Sequence, residues 1–121
     1  MIGPTRSLKA YACSRPVDMR KGYDGLYAIV RGELGLDALS GDLYLFVSRD
    51  RKRAKVLLWD GTGLCIYAKR MEKGRFACLW RGGTGSQVGL TVAELQLFLD
   101  GSLLVGRVPL SPPEYRLPAR A

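Results

Sequence analysis

Apolar residues recur along this chain with two different periods, and the switches between them set the order of the elements. Residues 8–13 (Leu-Lys-Ala-Tyr-Ala-Cys) alternate as a short strand does, and Pro16 breaks the run. Leu26, Ile29, Val30 and Leu34 then fall at helical spacing. They predict an amphipathic helix over 24–34, with Asp24 as its N-cap and Gly35 as its stop. Ser40-Gly41-Asp42 marks a turn. Three runs rich in β formers follow, at 43–48, 55–59 and 64–71. The last alternates, with Leu64, Ile66 and Ala68 on one side and Cys65, Tyr67 and Lys69 on the other. Residues 49–53 (Arg-Asp-Arg-Lys-Arg) join the first two runs, and Asp60-Gly61-Thr62-Gly63 joins the second pair. An Asp-Gly step tolerates the positive φ of a tight hairpin. A further strand over 75–80 extends the meander after Lys73-Gly74, and the Gly-rich stretch 81–89 reads as a loop. Thr91 and Glu94 form a capping box for a second helix. Leu95, Phe98 and Leu99 give that helix its buried face, and Asp100-Gly101 ends it.

The fold this predicts is α+β: an antiparallel β-meander of about four to five strands with two helices packed on it. Residues 1–106 read as a single domain. Residues 107–121, punctuated by Pro109, Pro112, Pro113 and Pro118, read as an extended Pro-rich tail. No internal repeat is present.

A chain of 121 residues can bury a core without metal or disulfide staples. Hydrophobic residues make up 47% and charged residues 25%, which excludes wholesale disorder. No apolar run exceeds five residues, against the roughly 20 a membrane helix needs, and the start carries no signal-peptide pattern. A cytoplasmic setting is expected. Histidine is absent, which removes histidine-ligated zinc, serine triads and histidine general bases. Cys13, Cys65 and Cys78 are odd in number and form no CxxC pair. They read as reduced, buried, small apolar residues, and no cofactor is expected.

Charge changes the picture more than composition does. The net charge is +8, and residues 41–81 hold ten basic and four acidic residues, leaving only +2 for the rest. A basic region of this kind suits a polyanion, with nucleic acid the first candidate. Its sharpest feature is the connection carrying Arg49, Arg51, Lys52, Arg53 and Lys55: five of the seven positions 49–55 are basic. A hairpin tip can reach along a phosphate backbone, where Arg offers a fork of donors and Lys a point charge. A solvated turn or a site for an acidic protein are the competing readings. Lys69, Arg70, Lys73 and Arg75 form a second cluster, placed by the meander at the tip's end of the sheet or at the opposite one.

Tyr44, Trp59, Tyr67 and Phe76 interleave with these charges and are candidates for base stacking, with core or cross-strand pairing as the alternative. Asp18, Asp24, Asp60 and Glu72 are the carboxylates a metal-dependent nuclease would use, but no spacing forces them together. Residues 82–86 (Gly-Gly-Thr-Gly-Ser) lack the Lys of a phosphate loop, and Gly89 misses the dinucleotide register by one, so a connector is the better reading.

Three strings point to a family. They are Asp18-Met19-Arg20-Lys21-Gly22 followed by Gly25-Leu26, then residues 55–64 (Lys-Val-Leu-Leu-Trp-Asp-Gly-Thr-Gly-Leu), then residues 69–76 (Lys-Arg-Met-Glu-Lys-Gly-Arg-Phe). In this order and spacing the chain closely resembles the TnpB accessory protein of the IS-66 insertion-sequence family, the product of its second open reading frame, over roughly residues 8–101. The resemblance implies a small non-catalytic protein of transposition that works beside a separate transposase, binding DNA or assembling with that enzyme. Where relatives tend to carry Trp-Pro after Gly-Arg-Phe, this chain has Ala77-Cys78-Leu79-Trp80. Arg20, Lys21, Lys69, Arg70 and Arg75 lie in the shared strings, and isolated surface charges do little for stability. Together with Arg49, Arg51, Lys52, Arg53, Lys55 and Lys73 they form the candidate nucleic-acid-binding set. The expected partners are DNA, at the element ends, and transposase subunits of the same element, with no membrane. An adaptor that docks on the transposase without touching DNA is the alternative, and a metal-dependent nuclease the third.

Overall fold

The computed structural model describes residues 7–80 and 85–102. Five strands form one sheet: β1 (Ala10–Cys13), β2 (Leu43–Val47), β3 (Arg53–Trp59), β4 (Leu64–Arg70) and β5 (Gln87–Leu90). Their order across the sheet is β4-β3-β2-β1-β5. Neighbours pair antiparallel except β1 and β2, which are parallel, with Ala10 opposite Leu43 and Ala12 opposite Leu45. That parallel step requires a crossover, and helix α1 (Tyr23–Ala28) lies in it. Helix α2 (Val92–Leu99) follows β5. The α+β meander expected from the sequence is therefore present as β2-β3-β4, with β1 and β5 added on the far side.

Strand alternation divides the core into two layers. Ala10, Ala12, Leu45, Val47, Ala54 and Val56 face α2, where they meet Leu95, Phe98 and Leu99 together with Phe76 and Leu79. Cys13, Tyr44, Phe46 and Leu57 face α1, meeting Leu26, Ile29, Val30 and Leu34. Strands β1 and β2 are therefore apolar on both sides, which explains why β2 reads as an unbroken apolar run.

Several elements differ from expectation. The first helix starts at Tyr23 with Gly22 as its N-cap, bonded through Leu26 N–H to the Gly22 carbonyl at 3.0 Å. Asp24 lies exposed in the first turn and caps nothing. From Ile29 to Glu33 the helix widens into a π turn, and Leu34 N–H reaches back five residues to Ile29. Gly35, at φ +67°, does end it. Residues 75–80 are not a strand. They have no ladder partner among the described residues, and the buried Phe76, Ala77 and Leu79 fold under the sheet against α2. The fifth strand comes instead from 87–90, which overlaps the end of the 81–89 stretch read as a Gly-rich loop. The capping box of α2 is present: Thr91 Oγ1 accepts from Glu94 N–H at 3.0 Å, and Glu94 Oε1 accepts from Thr91 N–H at 2.8 Å. Of the Gly-rich loop, residues 81–84 lie outside the described residues, as does the Pro-rich tail.

Candidate nucleic-acid interface

The register of β3 and β4 locates the two basic clusters. Arg53 pairs with Arg70, so the second cluster begins at the same end of the sheet as the hairpin tip. The segment after β4 is fastened beneath the tip. Met71 N–H donates to Lys52 O and Phe76 N–H to Arg51 O, both at 2.7 Å, and Arg75 Nε donates to Asp50 O at 3.2 Å. A third basic segment joins them. Val17 N–H bonds the Val47 carbonyl at 2.9 Å. Lys55 Nζ then holds the Met19 and Lys21 carbonyls at 2.8 and 2.9 Å, laying the 18–21 loop along the α1 side of β3. An open groove of about 440 Å³ runs between that loop and the tip, walled by Val17, Asp18 and Met19 and by Arg49, Asp50 and Arg53. Sequence spacing gave no sign that the 18–21 loop belongs here, because it arrives through the parallel β1–β2 step.

The eleven candidate cations divide by what they hold. Lys55 is committed to the 18–21 loop, and Lys69 donates to Leu99 O at 2.6 Å, at the C-terminal end of α2 where a cation is favoured. Arg51 takes φ +60°, a left-handed conformation rare outside glycine, and its guanidinium donates to Phe76 O at 3.1 Å. Arg20 pairs with Asp18 at 2.8 Å and Arg70 with Glu72 at 3.2 Å, both exposed. Lys21, Arg49, Lys52, Arg53 and Lys73 are exposed and carry no side-chain hydrogen bond or ion pair among the described residues. Arg75 is exposed and, among the described residues, linked only to the tip's backbone.

The carboxylates serve the fold. The Arg20 guanidinium and N–H hold Asp18 well below the usual carboxylate range. The Ser48 hydroxyl, then the Lys52 N–H, lowers Asp50. Asp60 is brought down to about 2 by the amides of Thr62 and Gly63, which it accepts at 2.9 Å each in the β3–β4 turn. Among the described residues no three Asp, Glu or Cys side chains converge on a point where a metal ion would bind. Nor is any helix there long and apolar enough to cross a membrane.

Two of the four aromatics considered for stacking are core residues. Tyr44 is buried against Tyr11, with ring centroids 5.8 Å apart, and Phe76 is buried against Phe98 at 5.2 Å. Tyr67 is exposed on β4, and Trp59 is half-buried. The cysteines also differ from expectation. All three are free, but only Cys13 is buried, and Cys65 Sγ donates to Asp60 Oδ2 at 3.5 Å.

Residues 8–106 match the family described as IS66 Orf2 like protein. The chain belongs to this family. Its members are accessory proteins of insertion-sequence transposition, so that role is the chain's as well. Two relatives come from Sinorhizobium fredii (strain NBRC 101917 / NGR234). Uncharacterized protein y4hO is 31% identical over 101 residues, covering 84% of this chain and 86% of the relative. Uncharacterized protein y4jC is 38% identical over 76 residues, covering 63% of this chain and 65% of that protein. No solved structure matches.

Proposed function

We propose that this IS66 accessory protein is a non-catalytic DNA-binding subunit that grips the phosphate backbone with the basic end of its sheet and works with the transposase of the same element. One observation carries the reading. Three segments distant in sequence converge on that end, and Lys21, Arg49, Lys52, Arg53 and Lys73 extend from it with no partner that folding supplies among the described residues. Exposed beside them are Arg75, bonded to the Asp50 carbonyl, and Arg20 and Arg70, in their ion pairs with Asp18 and Glu72. Arg51, Lys55 and Lys69 build the platform, since their donors are turned to backbone carbonyls.

The test is a titration of duplexes carrying the element's terminal repeats, and of random duplex, at several salt concentrations. Phosphate contacts release counterions, so affinity falls steeply with salt. Replacing Arg49, Lys52 and Arg53 with Ala weakens binding to both duplexes and flattens the log–log salt slope by roughly two to three units, about 0.9 for each phosphate no longer neutralised. The fold survives, because exposed charges contribute on the order of 1 kcal/mol or less each. A triple variant that binds DNA normally but no longer binds transposase hands the role to the adaptor reading.

A further inference from the structure

Strand β4 is one edge of the sheet, and the parity of its hydrogen bonds says which of its backbone groups are unused. Met71 N–H donates to Lys52 O at 2.7 Å and Asp60 N–H to Gly63 O at 3.1 Å. In an antiparallel ladder every second residue turns its N–H and C=O to the same neighbour. Given the pairing of Ala54 with Lys69, Val56 with Tyr67 and Leu58 with Cys65, those three β4 residues bond to β3. Leu64, Ile66, Ala68 and Arg70 therefore direct their N–H and C=O groups away from the sheet. Among the described residues none of these groups is bonded. The edge also lacks the usual protections: it has no proline, its pairing runs one-to-one through all seven residues, and its only charges, Lys69 and Arg70, sit at one end. Tyr67, at its centre, is 51% exposed.

We propose that this edge pairs antiparallel with the β4 of a second copy, about a two-fold axis at Tyr67. The strand is self-complementary in that register. Leu64 meets the second copy's Arg70 and Ile66 its Ala68, so all four outward residues on each side find partners. Charge selects both direction and register. Parallel alignment would set Lys69 and Arg70 against themselves. Antiparallel alignment lays each cationic end over the other copy's 60–64 turn, where the Asp60 carboxylate lies 3.5 Å from Cys65 Sγ. Centring on Tyr67 also overlaps the full strand. The product is a continuous ten-stranded sheet with the two basic ends pointing opposite ways.

The test is the mass of the full chain in solution by light scattering, without DNA, so that it succeeds or fails independently of the phosphate reading. The wild type runs at twice 13.3 kDa. Ala68→Pro removes an outward donor from an exposed position without touching the β3 ladder, and it runs as a single chain with unchanged circular dichroism. If that variant fails to fold, Ala68→Lys replaces it with the same expected dissociation. Tyr67→Cys in a Cys65→Ser background reports the register. A non-hydrogen-bonded antiparallel pair has Cα atoms about 4.5 Å apart, within disulfide reach. Oxidation therefore links two chains through position 67 but not through Leu97→Cys on α2. A wild type of single-chain mass at every concentration overturns the proposal, as does a dimer untouched by the Ala68 substitution. A dimer that dissociates on Ala68 substitution yet never cross-links at 67 overturns the Tyr67 register.

Discussion

Single side chains decide whether a basic residue belongs to the fold or to the surface, and Arg51 shows the difference most clearly. Its left-handed φ turns the chain at the hairpin tip, and its guanidinium holds the Phe76 carbonyl above a fully buried ring. Arg51→Ala is expected to lower stability by about 1 kcal/mol through the missing charged hydrogen bond. Lys52→Ala, at the very next residue, stays within about 0.5 kcal/mol; urea unfolding measures both. Asp60 gives a pH signature. Its folded-state value of about 2 lies below the ordinary 3.8, so its contribution is present above pH 3.8 and lost as pH falls toward 2. Asp60→Asn should lower the urea midpoint at pH 7, and the gap from wild type should close as pH approaches 2. Asp60 was legible in the sequence because an Asp-Gly-Thr-Gly turn is a local motif. Arg51 was not, since its role depends on a carbonyl 25 residues away.

Among the elements, those written in local chemistry were the ones the sequence revealed. The capping box of α2 and the apolar stripe of the first helix stand where their residues put them. The π turn and β5 do not announce themselves. The first depends on hydrogen bonding that reaches one residue further back than in an α-helix, as Leu34 N–H does to Ile29 O, and the second has Gly89 within it. That glycine adopts no special conformation: it is exposed, pairs with Tyr11, and a Cβ built there meets nothing within 4 Å. Gly89→Thr is therefore expected to stabilise the protein by roughly 0.5 kcal/mol, by restricting the unfolded chain and packing beside Tyr11. A thermal melt checks this, and a loop at 87–90 would show no gain. Residues 75–80 misled in the other direction. Their β-forming composition is spent on three buried side chains under the sheet.

For the molecule as a whole, one sheet serves two cores, and neither helix can be spared. Phe98 is fully buried and stacks on Phe76, fastening α2 and the 76–80 segment to the same face. Phe98→Ala should cost roughly 3–5 kcal/mol, a large share of the roughly 5–15 kcal/mol typical of a domain. Chemical denaturation should show a single shifted transition, because the sheet between the two cores is common to both. The gathering of charge at one end was half legible. Both clusters were visible in the sequence, but their juxtaposition required the β3–β4 register, and the arrival of the 18–21 loop required the parallel step between β1 and β2.

That parallel step also orders the protein's birth. Strand β1 leaves the ribosome before the other four strands of the sheet, yet its outer side is closed by β5, more than seventy residues later. At about 5–20 residues per second, the nascent chain waits several seconds with β1 bare and with the face that α2 will cover still open. A message cut short before residue 87 yields a chain lacking both closing elements, a target for quality control rather than a partial protein.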